Sequence, residues 1–262
     1  MNKRTVITLC CFVGILQAAR AQQDTLPRWQ ISLHYGASIP LQKFGSMDVF
    51  DAQSGFAKTG SSRGLEAGYR LGRVWGLSLM LDNETHKVEN HTVSNSLNSI
   101  NQNTAYFYGS SPWRMGKALL GVFGEFPMGS GGHWEWTIGA NAGALVTSIP
   151  SVWILEGSPS TGAPTPNGSG GYDGTYATDN GKTRMTFAYD GHLGLRFVIE
   201  KVFFDLRGDY TGASLNIPYA KTSLGSQVAA GQQPIAYGTT GSGSSTQSIN
   251  SVNVTLGLGL MF

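Results

Sequence analysis

The chain has 262 residues, of which 18 are basic and 16 acidic, giving a formal charge of +2, and only 13% of residues are charged while 36 are glycine. So small a net charge gives no electrostatic reason to expect nucleic acid as a partner. Both cysteines, Cys10 and Cys11, lie in one N-terminal apolar run, so the rest of the chain holds no disulfide, thiolate metal site or cysteine nucleophile.

Lys3 and Arg4 precede an apolar run over residues 6–16, and Ala19 and Ala21 place small residues where signal peptidase reads. Residues 1–21 are expected to be a removed signal peptide, and residues 22–262 the mature domain. The run is too short for a spanning helix, which needs about 20 residues. Acylation of Cys10 or Cys11 is the weaker alternative, because too little apolar sequence precedes them and no small residue sits just before Cys10. Removing Lys3, Arg4 and Arg20 leaves 15 basic residues against 16 acidic ones. Mean hydropathy is near zero, as expected when half of every strand is polar and averaging hides the other half.

From Trp29 onward the residues alternate. Trp29, Ile31, Leu33, Tyr35, Ala37 and Ile39 face Gln30, Ser32, His34, Gly36 and Ser38 across a first predicted strand. Leu65, Ala67, Tyr69 and Leu71 mark a second, and Trp75, Leu77, Leu79 and Leu81 a third, with a hairpin turn near Gly72 and Arg73. A fourth covers about residues 115–126 with Ala118, Leu120, Val122 and Phe126 outward, a phase that sends Leu119 and Phe123 inward. The fifth carries Trp134, Trp136, Ile138, Ala140, Ala142, Ala144 and Val146. The sixth runs from Met185 to Ile199, turns at Glu200 and Lys201, and leads to a seventh with Val202, Phe204, Leu206 and Tyr210. An eighth, residues 248–262, sets Val252, Val254, Leu256, Leu258, Leu260 and Phe262 against Ser251, Asn253, Thr255, Gly257 and Gly259.

Short turns join strands two to three, four to five and six to seven. The intervening segments, near 41–62, 88–112, 149–183 and 214–247, are long and rich in Gly, Ser, Asn and Gln, and 158–171 and 238–246 are expected to be mobile loops. An even number of strands with alternating short turns and long loops predicts an all-β, eight-stranded antiparallel up-and-down transmembrane β-barrel, with short periplasmic turns and long extracellular loops. Trp29, Trp75, Trp134 and Trp136 fall at the predicted periplasmic ends, where an aromatic girdle belongs. A soluble sandwich or lipocalin-like barrel would bury the apolar face and expose charge on the other. Here the face opposite the apolar one is mostly Gly, Ser and Thr with isolated charges.

The predicted inward positions collect Glu66, Arg70, Asp82, Glu84, His86, Glu125, Glu135, Asp190, His192, Arg196, Asp205, Arg207 and Asp209. The interior of an eight-stranded barrel is just wide enough to be filled by side chains, so these groups are expected to pair across the lumen instead of lining a pore. Asp82, Glu84 and His86, and separately Asp190 with His192, could instead join an acid to a histidine for general base chemistry. Gly181, Lys182 and Thr183 end like a phosphate-binding loop, but Tyr176 stands where its first glycine is required. His91 and His133 lack partners at metal-ligand spacing. No catalytic, metal or cofactor residues are therefore assigned.

With its signal sequence, eight alternating strands and terminal Phe262, the chain resembles the small bacterial outer-membrane β-barrel proteins of the OmpA and OmpX type, particularly the porin-family and PorT-like barrels of Bacteroidota. An aromatic residue closing an alternating strand resembles their insertion signal, here Leu256, Leu258, Leu260 and Phe262. The resemblance implies outer-membrane lipid and lipopolysaccharide as surroundings, the barrel assembly machinery as a partner during insertion, and an extracellular or envelope protein partner of unknown identity. Without a peptidoglycan-binding domain after the barrel, no envelope tether is expected. The expected role is non-enzymatic: structural, surface-interacting or envelope-accessory. The alternatives are a barrel enzyme acting on lipid A or peptides through His86 or His192, and an accessory barrel of a secretion or uptake system.

Overall fold

The computed structural model describes residues 27–48, 51, 53–100, 105–129, 133–158, 163–164, 174–177, 183–224 and 236–262, so the expected signal peptide lies outside the described residues. In chain order the elements are β1 (Trp29–Pro40), β2 (Gly60–Arg70), β3 (Trp75–His86), α1 (Asn90–Ile100), β4 (Ala105–Ser110), β5 (Trp113–Met128), β6 (Trp134–Ser148), β7 (Val152–Ser158), β8 (Ala163–Pro164), β9 (Gly174–Ala177), β10 (Thr183–Ile199), β11 (Val202–Leu224) and β12 (Ala236–Met261). No described helix is long and apolar enough to cross a membrane.

Eight of these strands form a closed antiparallel ring in the order β1-β2-β3-β5-β6-β10-β11-β12, with β12 returning to β1. At the seam Leu33 pairs with Leu258 and Tyr35 with Leu256, and Trp29 and Phe262 exchange reciprocal backbone hydrogen bonds of 2.9 Å. Closure removes the open edges that a single sheet would present. Alternation sets the two surfaces. Leu33, Leu120, Phe187, Leu193, Leu206 and Leu256 stand outward and exposed, whereas Ser32, Ser38, Asn141, Thr211 and Asn253 point inward and are buried.

The phase of the fourth barrel strand is as the outward Leu120 and Val122 require: Leu119 and Phe123 are buried inside. The β10–β11 hairpin turns at Glu200, whose φ of 55° is the left-handed conformation that two-residue hairpin loops demand.

Two expectations about the long segments are corrected. The stretch 88–112, read as a long polar outer loop, contains α1 and β4. The stretch 214–247 is largely strand, since β11 and β12 stay paired from Val202 with Leu260 out to Leu224 with Ala236, so the backbone of 238–246 is not a free loop. Beyond the apolar belt β12 reads Ser, Gly and Thr at successive positions and β11 turns Leu215 and Ile217 inward, so backbone hydrogen bonding continues without the outward apolar alternation that marks the wall. Most of 158–171 lies outside the described residues. The outer part of β11 also pairs with β9, β9 with β7, and β7 with β4 and β8, so the wall continues into a second array of strands at the loop end.

Candidate functional site

The site is the barrel interior, built by the inward positions of all eight wall strands. Every one of the thirteen inward residues named from the sequence lies on the lumen side. Near the turn end, Arg196 of β10 donates to Asp205 of β11 from Nε at 2.8 Å and Nη2 at 3.0 Å, and to Gln30 of β1 at 2.7 Å. It also pairs with Glu125, which takes Arg70 from the far side. The guanidinium sits 3.9 Å above the ring of Phe203, which with Phe123 fills the turn end. Glu135, opposite Arg196 on β6, completes this level.

In the middle, Arg207 bridges Glu66 of β2 and Asp209 two residues along its own strand, the latter at 2.6 Å. His34 lies 3.8 Å from Glu66 and 2.7 Å from the Ser32 hydroxyl. Towards the loop end Lys117 takes over. Its Nζ lies 2.7 Å from Glu84, 3.4 Å from Asp82 and 3.9 Å from Asp190, and donates to the Thr211 hydroxyl at 2.8 Å. Glu84 further accepts from Ser38 at 3.0 Å, Ser251 at 3.2 Å and Asn253 at 2.8 Å. His86 donates from Nδ1 to the Lys58 carbonyl at 2.9 Å, and its Nε2 lies 3.1 Å from the Ser38 hydroxyl.

A folded segment closes the loop end. Phe44 is fully buried, edge-on to His86 at 5.2 Å and to Trp113 at 5.5 Å, while Trp113 donates to the Gly55 carbonyl at 2.9 Å. Backbone bonds Lys58 to Lys87 and Glu89 to Phe56, both 2.8 Å, stitch residues 56–58 to the start of the next segment. Outside the wall, hydrogen bonding from Lys58 holds the Glu89 carboxyl below its ordinary pKa. The matching contact of Lys43 and Asp51 lowers the Asp51 carboxyl and raises the Lys43 ammonium.

Inward glycines make room for these groups. A Cβ on Gly139 would meet the His192 ring at 2.2 Å, and one on Gly64 would meet Asp82 Oδ1 at 1.7 Å. The sequence reading missed Lys117 and Phe44. Lys117 shares its inward face with Met115 and Leu119, which blurred that strand's phase, and Phe44 sits in a segment with no alternation. On the outer wall Trp29, Trp75, Trp134 and Trp136, each 45–51% exposed, gather with Phe262 at the turn end. Trp29 meets Tyr69 in a tilted ring contact with centroids 4.8 Å apart, and Trp134 meets Phe197 likewise at 4.7 Å. Leu256, Leu258 and Leu260 stand on the outward face of β12, and Phe262 follows them just past its end, 62% exposed.

As an arrangement, the lumen is a network of buried ion pairs packed beside an apolar cluster that includes Phe44, Met115, Leu145, Leu215 and Ile249. The cavity between Gln30, Glu66, Glu125, His192 and Arg207 measures about 10 Å³, room for about one water molecule. A shallow groove of about 450 Å³ on the outer wall, lined by Leu33, Leu65 and Leu81 around Gly64, touches His34 and Asp82 but neither His86 nor His192.

No protein-family model and no curated protein sequence matches the chain. Among solved structures it is similar to Neisserial surface protein A, at 10% identity over 89% of this chain and 97% of the other with a TM-score of 0.41. The outer membrane protein OprG from Pseudomonas aeruginosa matches at 13% identity over 90% and 98%, TM-score 0.43. Ail, the attachment invasion locus protein of Yersinia pestis, matches at 10% identity over 90% and 100%, TM-score 0.38. The chain is thus similar to small outer-membrane barrels, and at these identities the similarity is one of fold.

Proposed function

We propose that the protein is a non-enzymatic integral barrel of the bacterial outer membrane, exported through a cleaved signal peptide and acting through its loop end in surface or envelope contacts. One observation carries this reading: the wall is apolar outside and charged inside. Leu33, Leu120, Phe187, Leu206, Leu256 and their neighbours form an exposed apolar belt that water would disfavour at about 25 cal/mol per Å², and hydrocarbon would not. The tryptophans and Phe262 at one rim match the depth at which aromatic rings sit in an interface. Lipid and lipopolysaccharide are then the belt's partners, and the barrel assembly machinery its partner during insertion.

The ion-paired lumen supports a structural core over a solute channel. His86 is fully buried beneath Phe44, and His192 faces a cavity of one water, which argues against a substrate reaching either. The loop-end strands favour a protein partner: their order ends on β4, whose second edge pairs with no described strand and could accept one. The test is outer-membrane fractionation, unheated gel mobility and planar-bilayer recording. The expected result is a heat-modifiable species in the outer-membrane fraction with no conductance steps. A species confined to the soluble fraction overturns the membrane reading, and regular conductance steps overturn the sealed lumen.

A further inference from the structure

We propose that Asp190, His192 and Asp209 form a binding site for a divalent transition-metal ion, Zn²⁺ in the first instance, inside the barrel. His192 on β10 is the direct register partner of Asp209 on β11, and Asp190 lies two residues along from His192, so all three project from adjacent strands into one part of the lumen. One donor atom from each lies within 4.8 Å of the others. Zn²⁺ bonds of about 2.0–2.2 Å in a tetrahedron place donors roughly 3.4 Å apart, so side-chain rotation of about an ångström closes the set.

The independent sign of a ligand is what these side chains lack. His192 is 6% exposed, its Nδ1 is buried without a partner, and no described group hydrogen-bonds its ring. Asp190 is 3% exposed; its Oδ2 accepts from Thr211 at 2.8 Å, while its Oδ1 has no partner at all. Buried polar atoms in native proteins are nearly always satisfied, and a bound ion is one of the things that satisfies them. Thr211 is placed to orient Asp190, as groups behind a metal ligand do, and Gly139 leaves the space that the imidazole ring occupies.

Charge points the same way. Among the described residues the lumen holds eight carboxylates, Glu66, Asp82, Glu84, Glu125, Glu135, Asp190, Asp205 and Asp209, against Arg70, Lys117, Arg184, Arg196 and Arg207. A dication reduces that surplus where Lys117, 3.9 Å from Asp190, is already engaged with Glu84 and Asp82. Arg207 keeps Glu66 when Asp209 turns to the metal. Imidazole with two carboxylates and no thiolate favours Zn²⁺ and its neighbours over Ca²⁺ or Mg²⁺, which take oxygen sets. Asp190, His192 and Asp209 are each 6% exposed or less, so binding accompanies barrel closure. The proposal rests on the interior alone and stands apart from the membrane reading.

The test uses the full barrel carrying His91→Ala and His133→Ala, which removes the exposed histidines, refolded into detergent with Zn²⁺ or with EDTA, gel-filtered, and assayed for metal by mass spectrometry. The expected result is one Zn²⁺ per folded chain, with an affinity at least tenfold lower in His192→Gln and in Asp190→Asn. Refolding with Co²⁺ should give a visible absorption band of a tetrahedral site that His192→Gln abolishes, a readout that stability alone does not move. Absence of retained Zn²⁺ and of the Co²⁺ band in the folded barrel overturns the proposal, as does retention unchanged in both variants. Should one variant fail to give the heat-shifted folded band, the other and the Co²⁺ spectrum of the parent barrel still decide.

Discussion

The two ends of the lumen solve the same problem with different chemistry. At the turn end the cations are guanidinium groups that share carboxylates: Arg196 forks between Asp205 and Glu125, and Glu125 is shared with Arg70. At the loop end one ammonium among the described residues, Lys117, faces Glu84, Asp82 and Asp190, and neutral donors complete the shell around Glu84. Arginine's planar fork matches carboxylates two at a time, whereas lysine acts as a point charge. The turn end is therefore redundant and the loop end is not.

Lys117→Met should produce the largest effect, because it strands three buried carboxylates at once. Breaking a buried pair by removing one partner costs about 3–5 kcal/mol, and this variant is expected near the upper end, read as a lowered urea midpoint of the refolded barrel. Arg196→Met should cost less, about 3 kcal/mol, since Glu125 keeps Arg70 and, of the carboxylates, only Asp205 is abandoned, along with the neutral Gln30. Equal losses in the two variants would refute the claim of redundancy.

Gly139→Ala should follow at about 1–3 kcal/mol by overpacking against the His192 ring, with the same urea assay. Rescue by a second change, His192→Ala, would locate the effect in that contact; failure to rescue would place it elsewhere. The smallest effect belongs to the exposed Lys58–Glu89 bridge over the loop-end cap, worth about 0.5 kcal/mol or less. Because the Glu89 carboxyl is held below its ordinary value of 4.5, the bridge's contribution is present above that pH and is lost as pH falls through the folded value. Protease nicking of residues 53–58 should rise between pH 5 and pH 3 in the parent protein. In Glu89→Gln it should already be raised at pH 7 and change little on acidification.

The wall was legible residue by residue because it faces two unlike media. Leu256, Leu258 and Leu260 against Thr255, Gly257 and Gly259 announce both a strand and its orientation. The outer half of β12 was not legible, because Ser, Gly, Thr and Gln there alternate with one another and no face stands out, and in β11 the apolar Leu215 and Ile217 stand on the inward phase instead of the outward one. Asp190, His192 and Asp209 could each be assigned to the lumen from their phase, yet their convergence could not. Lys117 escaped because its inward neighbours Met115 and Leu119 are as bulky and apolar as an outward face.

What the sequence by itself determined is therefore the side of the wall on which each residue stands, since that follows from a two-residue period that is local to the strand. Which inward groups meet was decided only by the tertiary structure. Arg207 reaches Glu66 across 141 residues of chain, and Lys117 reaches Thr211 across 94. Those meetings depend on the tilt and stagger with which eight strands close, a property of the whole ring that no single strand carries.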